Sequence, residues 1–169
     1  LVCTHTLARF VLPEALGELR RRYPRVHLAI ETTDPARIVE ALGSGDVDVA
    51  LSSSAGLPPE SGLAVPLFRW RRVLLVQNGH PLAGLQRAPT LVELAHHALI
   101  SYESSTRTDS SLQRAFAGAG VTPQIAMTAR DANLIKTYVR AGLGAGLLAE
   151  MAVTHGEDAD LRVLAAPVE

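Results

Sequence analysis

Three loops of the sequence combine clustered hydroxyl side chains with the predicted start of a helix or end of a strand. They are residues 3–6 (CTHT), residues 52–54 (SSS) and residues 101–111 (SYESSTRTDSS). The first N–H groups of a helix lack intrahelical partners, and the helix dipole makes that end positive, so such loops can bind an anion. Serine and threonine would add neutral donors, and Arg107 would add a charged, forked donor.

The same hydroxyls could instead serve only as helix caps, which is a common role for serine and threonine. For any single loop, capping is the better explanation. Ligands of open α/β sheets, however, bind beyond the carboxyl ends of the strands, where loops of this kind lie. Three such loops, distributed over both halves of the chain, favour a small polar ligand. The donors expected to hold its oxyanion are Thr4, Thr6 and Ser53 from one half, and Arg107, or the backbone of Thr106 and Thr108, from the other.

Other chemistries are weakly supported by the sequence. The glycines of GLGAG, residues 142–146, follow a predicted helix instead of opening one, so they predict a helix end and a tight turn, not a dinucleotide site. The adjacent His96 and His97 point apart and have no further ligand at metal-binding spacing. Cys3 and His5 could form a nucleophile pair, but a thiol at the start of an apolar strand usually only packs. We therefore predict no catalytic residue, no metal and no cofactor.

The composition is ordinary for a soluble globular domain. Of 169 residues, 47% are hydrophobic and 20% charged, and the formal net charge of -1 provides no basic field for nucleic acid. The single cysteine excludes an internal disulfide and fits a reducing, cytoplasmic compartment. No apolar run approaches the roughly 20 residues of a membrane helix, and no signal peptide is visible. The absence of an initial methionine suggests that Leu1 lies inside a longer protein.

Strand-like and helix-like segments alternate along the chain, which predicts an α/β architecture with largely parallel sheets. In the first half, a helix ends at the arginine run 20–22, a strand spans 26–30, a helix follows the N-cap Asp34, and a strand spans 47–51. The arginine run could indicate a nucleic-acid patch. Cations at a helix C-terminus, where the dipole favours them, are the better explanation.

The second half repeats this alternation. Strands are predicted at residues 73–76, 98–103 and 124–129, an apolar run spans 147–149, and helices follow the N-caps Thr90, Asp109 and Asp131. Residues 67–72 (LFRWRR) alternate apolar and basic side chains and predict an extended strand that crosses between two lobes. We expect the first lobe at residues 1–68 and the crossing strand with the second lobe at residues 69–169.

Several segments resemble the CysB-like branch of LysR-type transcriptional regulators. THTLARFVLPEALGELRRRYPRV is similar to the branch pattern THTQARYALP…FxxxYPxV, and DANLIKTYVRAGLGAG is also specific to this branch. DVDVALSSSA, LFRWRRVLLVQNGHPLA and LVELAHHALISYE match in the family's order. The resemblance covers nearly the whole chain. It implies a two-lobed effector-binding domain of the periplasmic-binding-protein-like (type II) fold, with a cleft for a small effector.

The resemblance also implies segments that this chain does not contain. Family members carry an N-terminal winged helix-turn-helix, and DNA would be bound only through that missing domain. They usually carry another strand and helix beyond the position of Glu169, so we expect a fold that is incomplete at the C-terminus. The helix from Leu12 and the strand 26–30 resemble the elements through which such domains pair. We therefore expect a dimer, and a tetramer at full length.

The resemblance assigns the effector site with some departures from the family pattern. Leu7 replaces a glutamine, Asp109 replaces an arginine, and Asn133 replaces the second aspartate of a DAD pattern. Thr4 and Thr6 match two ligand-binding threonines. The full expected set is Thr4 and Thr6, His5 between them, Ser53 and Arg107 at two further threonine positions, Thr106 and Thr108 beside Arg107, and Asp131 at the first aspartate.

The family implies sulfate, thiosulfate, O-acetylserine or N-acetylserine as the effector, and the changed loop makes another small anion plausible. Our first hypothesis is the effector-sensing domain of a LysR-type regulator of sulfur or cysteine metabolism, located in the cytoplasm and not an enzyme. The alternatives are a solute-binding protein of a transport system and a small α/β enzyme. A helix-turn-helix encoded upstream of Leu1 would favour the regulator, whereas a signal peptide would favour transport.

Overall fold

The structure, a computed structural model, describes residues 1–52 and 63–168. The chain packs as two compact units, Leu1–Phe68 and Arg69–Glu169. None of the helices within the described ranges combines the length and apolar character needed to cross a membrane.

The first unit is a small parallel sheet with helices. Its elements are β1 (Val2–Cys3), α1 (His5–Phe10), α2 (Leu12–Arg22), β2 (Glu31–Thr32), α3 (Pro35–Gly43) and β3 (Ala50–Leu51). The strand order is β2-β1-β3, and Val2 faces both Glu31 and Ala50 in parallel register. The buried side chains of this unit include Val2, Cys3, Leu7, Leu12 and Ile38. Parallel pairing places the carboxyl ends of all three strands at one edge.

The helix signals of the first unit are confirmed, whereas its strand bounds are corrected. Asp34 caps α3 and accepts hydrogen bonds from the backbone N–H groups of Ala36 and Arg37. The arginine run lies in the last turn of α2. The strand predicted at residues 26–30 is wrong, because the ladder with the two-residue β1 covers only Glu31 and Thr32. The strand predicted at 47–51 is too long, because only the two residues of β3 pair with β1.

The second unit is a five-stranded mixed sheet with helices. Its elements are β4 (Arg72–Gln77), α4 (Leu91–Ala95), β5 (Ala98–Tyr102), α5 (Ser111–Gly118), β6 (Gln124–Ala129), α6 (Ala132–Arg140), β7 (Ala145–Ala149) and β8 (Leu161–Ala165). The strand order is β6-β5-β7-β4-β8. β5 pairs in parallel with β6 and β7, whereas β4 pairs antiparallel with β7 and β8. The expected parallel pairing therefore holds for only three of these strands.

The core of the second unit lies between this sheet and helices α4 and α5. Its fully buried side chains include Leu74, Leu94, Leu99, Phe116 and Leu147. Removal of such side chains from water is the main favourable contribution to folding. Because β5, β6 and β7 are parallel, their carboxyl ends meet at one edge, and the loops after β5 and β6 lead there into α5 and α6.

The GLGAG segment forms the predicted turn after α6, and its glycines are required by backbone angles and by close contacts with neighbouring residues. Gly142 has φ +78° and follows the end of α6, as the sequence predicts. Gly144 has φ +155°, and a Cβ atom there would lie 2.4 Å from the carbonyl oxygen of Ala98. Within β7, a Cβ atom on Gly146 would lie 2.7 Å from Cγ2 of Val139. Glycine is therefore needed to connect α6 to β7.

Candidate functional site

Thr4 is a buried polar residue at the carboxyl end of β1. It is only 9% exposed, and its Oγ1 atom has no hydrogen-bond partner in the part of the chain that the structure describes. Thr4 is the N-cap of α1, yet its side chain makes no capping bond. A buried hydroxyl without a partner costs about 1–3 kcal/mol. Capping therefore does not explain Thr4, and a polar ligand would supply the missing bond.

Three further residues of the first unit were predicted to bind the ligand, namely His5, Thr6 and Ser53. His5 and Thr6 are the first two residues of α1, and His5 is exposed while Thr6 is half-buried. Thr4 and Thr6 thus lie together where β1 passes into α1. Ser53 lies outside the described residues, which end on this side at Ser52, one residue after β3.

In the second unit, serine hydroxyls shape the loop that follows β5. Ser101 donates to the Oγ atom of Ser105 at 3.0 Å, and both side chains are buried. Ser110 donates to the carbonyl oxygen of Ser105 at 2.9 Å and accepts from the N–H group of Gln113 at 3.1 Å. The prediction that Asp109 caps this helix is wrong, because Ser110 occupies the N-cap position of α5.

The predicted ligand residues of this loop have local contacts. Thr106 donates from its hydroxyl to the carbonyl oxygen of Glu103 at 2.8 Å. The Arg107 guanidinium binds both carboxylate oxygens of Asp109, at 3.0 and 3.1 Å, and this pairing lowers the pKa of Asp109. Both side chains are exposed, as is Thr108. The cation of Arg107 is therefore matched by a carboxylate two residues away.

Asp131 lies next to this loop, at the carboxyl end of β6. It is the N-cap of α6, as predicted, and its carboxylate accepts from the N–H group of Leu134 at 3.0 Å. The preceding Arg130 contacts Glu103 at 3.3 Å, which joins the β6–α6 loop to the β5–α5 loop. The structure thus brings Thr106, Arg107 and Thr108 together in one loop and places Asp131 in the neighbouring one.

Arg72 is a charged residue at the same edge that the sequence interpretation missed. Its Nη1 atom donates to the Ser111 hydroxyl at 2.9 Å, and its Cζ atom lies 5.7 Å from the centre of the Trp70 ring. Burial lowers the pKa of the guanidinium, and the nearby Tyr102 phenol opposes that shift. The sequence does contain an indication of this position. Side chains two residues apart along a strand point to the same face, so Arg72 lies on the same face of β4 as the buried Leu74.

No group of three or more histidine, cysteine or carboxylate side chains placed to hold a metal ion occurs within residues 1–52 and 63–168. Cys3 is buried, and burial raises the pKa of its thiol, which disfavours the nucleophilic thiolate. At the edge of the first unit the polar groups are hydroxyls and the backbone N–H groups at the start of α1. At the edge of the second unit they are hydroxyls, backbone N–H groups, guanidinium groups and the carboxylates of Asp109 and Asp131. Such a set can bind a small polar or anionic molecule by hydrogen bonds.

Comparison with known proteins gives consistent matches over the whole chain. The profile of the LysR substrate binding domain family matches residues 1–169. The HTH-type transcriptional regulator CysB of Haemophilus influenzae is 40% identical over 89% of this chain and 46% of its own length. CysB of Burkholderia cenocepacia is 36% identical over 97% of this chain and 52% of its own length. The chain thus spans about half the length of the curated relatives it matches.

A solved structure supports the fold assignment independently. The cofactor-binding domain of the Cbl transcriptional regulator has a TM-score of 0.81 and is 34% identical. The match covers 96% of this chain and 71% of that one. The α/β architecture seen here is therefore that of a LysR-type effector-binding domain.

Proposed function

Since the chain belongs to the LysR substrate-binding domain family, we propose that it is the effector-sensing part of a LysR-type regulator of sulfur or cysteine metabolism. The relatives are transcriptional regulators, and the chain is accordingly not an enzyme. The names CysB and Cbl support the regulator assignment within this family. A bound effector would shift the balance between conformations of a longer protein whose separate N-terminal domain binds DNA.

The observation that carries this proposal is the buried hydroxyl of Thr4. It lies at the carboxyl end of a parallel strand, where ligands of α/β proteins bind, and no described residue satisfies its Oγ1 atom. Thr6 follows two residues later, and Ser53 follows β3 in the sequence. Serine and threonine hydroxyls carry no charge, but each can donate a hydrogen bond to an oxyanion.

We propose sulfate, thiosulfate, O-acetylserine or N-acetylserine as the effector. In the second unit, the loop that carries Thr106, Arg107 and Thr108 and the loop that carries Asp131 would provide the remaining contacts. His5 and Thr6 would contribute with Thr4 and Ser53 from the first unit. This chain would form a dimer, and the complete regulator would act in the cytoplasm as a tetramer.

A pair of threonine variants tests the assignment of Thr4. Thr4→Val replaces the hydroxyl by a methyl group of similar size, so it removes the expected bond to the effector with little change in packing. Calorimetric titration with thiosulfate should show weaker binding by about fivefold or more, as expected for the loss of one neutral hydrogen bond. Thr137→Val, an exposed position on α6, is the matched control and should bind as the parent does. Unchanged affinity in Thr4→Val would reject the site.

The coding sequence upstream of Leu1 tests the regulator assignment itself. A helix-turn-helix pattern there would agree with the proposal. A secretory signal peptide directly before Leu1 would contradict it and would favour a solute-binding protein of a transport system.

A further inference from the structure

Residues 80–97 form a segment between β4 and β5 that covers part of the core of the second unit. This covering segment begins at His80, contains the short 3₁₀ helix Pro81–Gly84 and α4, and ends at His97. Its buried side chains in the core include Leu82 and Leu94. The ring centres of His80 and His97 lie 4.9 Å apart, so the two ends of the covering segment meet at a pair of imidazoles.

Protonation of His80 would remove a hydrogen bond that fixes the start of the covering segment. His80 is the N-cap of the 3₁₀ helix, and its Nδ1 atom accepts from the N–H group of Leu82 at 3.2 Å. An imidazolium carries a proton on both nitrogen atoms and cannot accept this bond. A charge on His80 would also repel a charge on His97 at this distance. Burial lowers the pKa of His80, and the charge of His97 adds to this shift.

The described residues provide no carboxylate that pairs with either imidazole. Within the covering segment, Glu93 is bound by Arg87, and His96 is exposed. Asp160, which precedes β8, is bound by Arg140. Other titratable groups on the elements around the core are Arg72 and Tyr102 at the far ends of β4 and β5, Arg114 on α5 and Arg162 on β8. A charge on the histidine pair would therefore have no neighbouring anion to neutralise it.

We propose that His80 and His97 form a proton-sensitive clasp, whose protonation frees the covering segment from the core of the second unit. The inference goes beyond the proposed function, because it concerns a contact inside the second unit and requires no effector. The segment should keep its internal structure when the clasp opens, since Arg87 pairs with Glu93 and Thr90 caps α4. Arg87 holds the pKa of Glu93 at about 2, so this pair persists at mildly acidic pH.

Native-state amide exchange, followed by NMR on the 169-residue chain, measures this opening. Between roughly pH 7.5 and pH 5.5, the protection of the Leu82 and Ala83 amides should fall by at least about threefold, because the opened state binds a proton that the closed state excludes. These amides should exchange faster than those of the β5–β6 ladder. Their exchange should also depend little on low concentrations of urea, since a local opening exposes little surface.

Three variants assign the effect to the clasp. His80→Asn can accept the Leu82 hydrogen bond without titrating, so its amide protection should not respond to pH in this way. His97→Gln removes the facing charge, so an NMR titration of the imidazole protons should show a higher pKa for His80 than in the parent. His96→Gln removes the exposed neighbouring histidine and is the matched control, in which the pKa of His80 should equal that of the parent.

The outcomes decide between a local clasp and opening of the whole unit. Equal protection and equal urea dependence of the Leu82 and ladder amides at both pH values would overturn the proposal, because the unit would then open as a whole. The same pH response in the parent and in a folded His80→Asn variant would also overturn it. If His80→Asn does not fold, His97→Gln decides the question, and an unchanged pKa of His80 in that variant would overturn the clasp.

Discussion

The Nζ atom of Lys136 lies 2.5 Å from the Oδ2 atom of Asp158, and both side chains are almost completely buried. The same carboxylate accepts from the N–H group of Thr154 at 2.8 Å and from Arg140 at 3.0 Å. Burial alone would raise the pKa of Asp158, but these donors hold it below its ordinary value. This ion pair ties α6 to the segment that leads into β8.

Removal of one charge from this pair should destabilise the second unit strongly. Lys136→Met leaves the Asp158 carboxylate buried without its closest cation, so we expect the free energy of unfolding to fall by about 3 kcal/mol. Equilibrium unfolding in urea measures this change. Arg130→Met is the control, because Arg130 is 85% exposed in its pair with Glu103 and such pairs contribute at most about 1 kcal/mol. Equal decreases in the free energy of unfolding of the two variants would contradict the conclusion that the buried Lys136–Asp158 pair stabilises the second unit.

The contact of His80 with His97 should make the stability depend on pH. Their ring centres lie 4.9 Å apart, and the pKa of His80 is lowered, mainly by burial and secondly by the charge of His97. In the unfolded state His80 has an ordinary pKa of roughly 6.5, whereas in the folded state its pKa is lower. Between these two values the unfolded protein therefore binds more protons than the folded protein. Stability should therefore fall as the pH decreases through this window.

The variant His80→Asn isolates this effect. The Nδ1 atom of His80 accepts from the N–H group of Leu82, and an asparagine side chain can accept the same bond without titrating. Urea unfolding at roughly pH 7.5 and pH 5.5 should show a smaller loss of stability in the variant than in the parent. The same loss in both proteins would show that His80 does not contribute.

Gly144 should tolerate no side chain. At φ +155° an added Cβ atom would lie 2.4 Å from the Ala98 carbonyl oxygen, so Gly144→Ala must move either the turn or β5. We expect a loss of at least about 2 kcal/mol in the free energy of unfolding, or failure to fold. Gly118→Ala is the matched control, because nothing lies within 4 Å of its added Cβ atom. Thermal unfolding of Gly144→Ala at the parent's midpoint would contradict this prediction.

The first unit should mediate self-association. Large apolar side chains exposed there include Tyr23, Val26, Ile30, Val39 and Val49. Sedimentation at micromolar concentrations should show a dimer, and Ile30→Lys should shift it towards monomer, since a charge in a shared apolar face is costly. Val92→Lys, at an exposed apolar position on α4, should remain dimeric. A parent that sediments as a monomer at every concentration would exclude this interface.

Features of the fold that depend on neighbouring residues were predictable from the sequence. The capping box of Thr90 and Glu93 forms as its spacing predicts, and Asp34 and Asp131 cap the expected helices. These signals are local, because a cap and its N–H partners lie within three residues of one another. The alternation of strands and helices was also predictable, because the hydrophobic period that distinguishes them is set by residues close together in the chain.

Features that depend on tertiary partners were not predictable in this way. The bounds of β2 follow from the length of β1. Ser110 occupies the cap position expected for Asp109, whose carboxylate pairs with Arg107 instead. The pairing of Lys136 with Asp158 joins residues 22 positions apart, and no periodicity indicates it. At the candidate site, the sequence indicated the hydroxyls of Thr4 and Thr6 but did not reveal that Arg72 contacts Ser111.

The most direct test of the sensor assignment is calorimetric titration of the parent chain with thiosulfate, sulfate, O-acetylserine and N-acetylserine. We expect at least one of these compounds to bind saturably with one site per chain, and the others that bind to compete with it. Binding to a single shared site would agree with the proposed function. Absence of saturable heat with all four compounds, at concentrations where the chain remains folded, would contradict it.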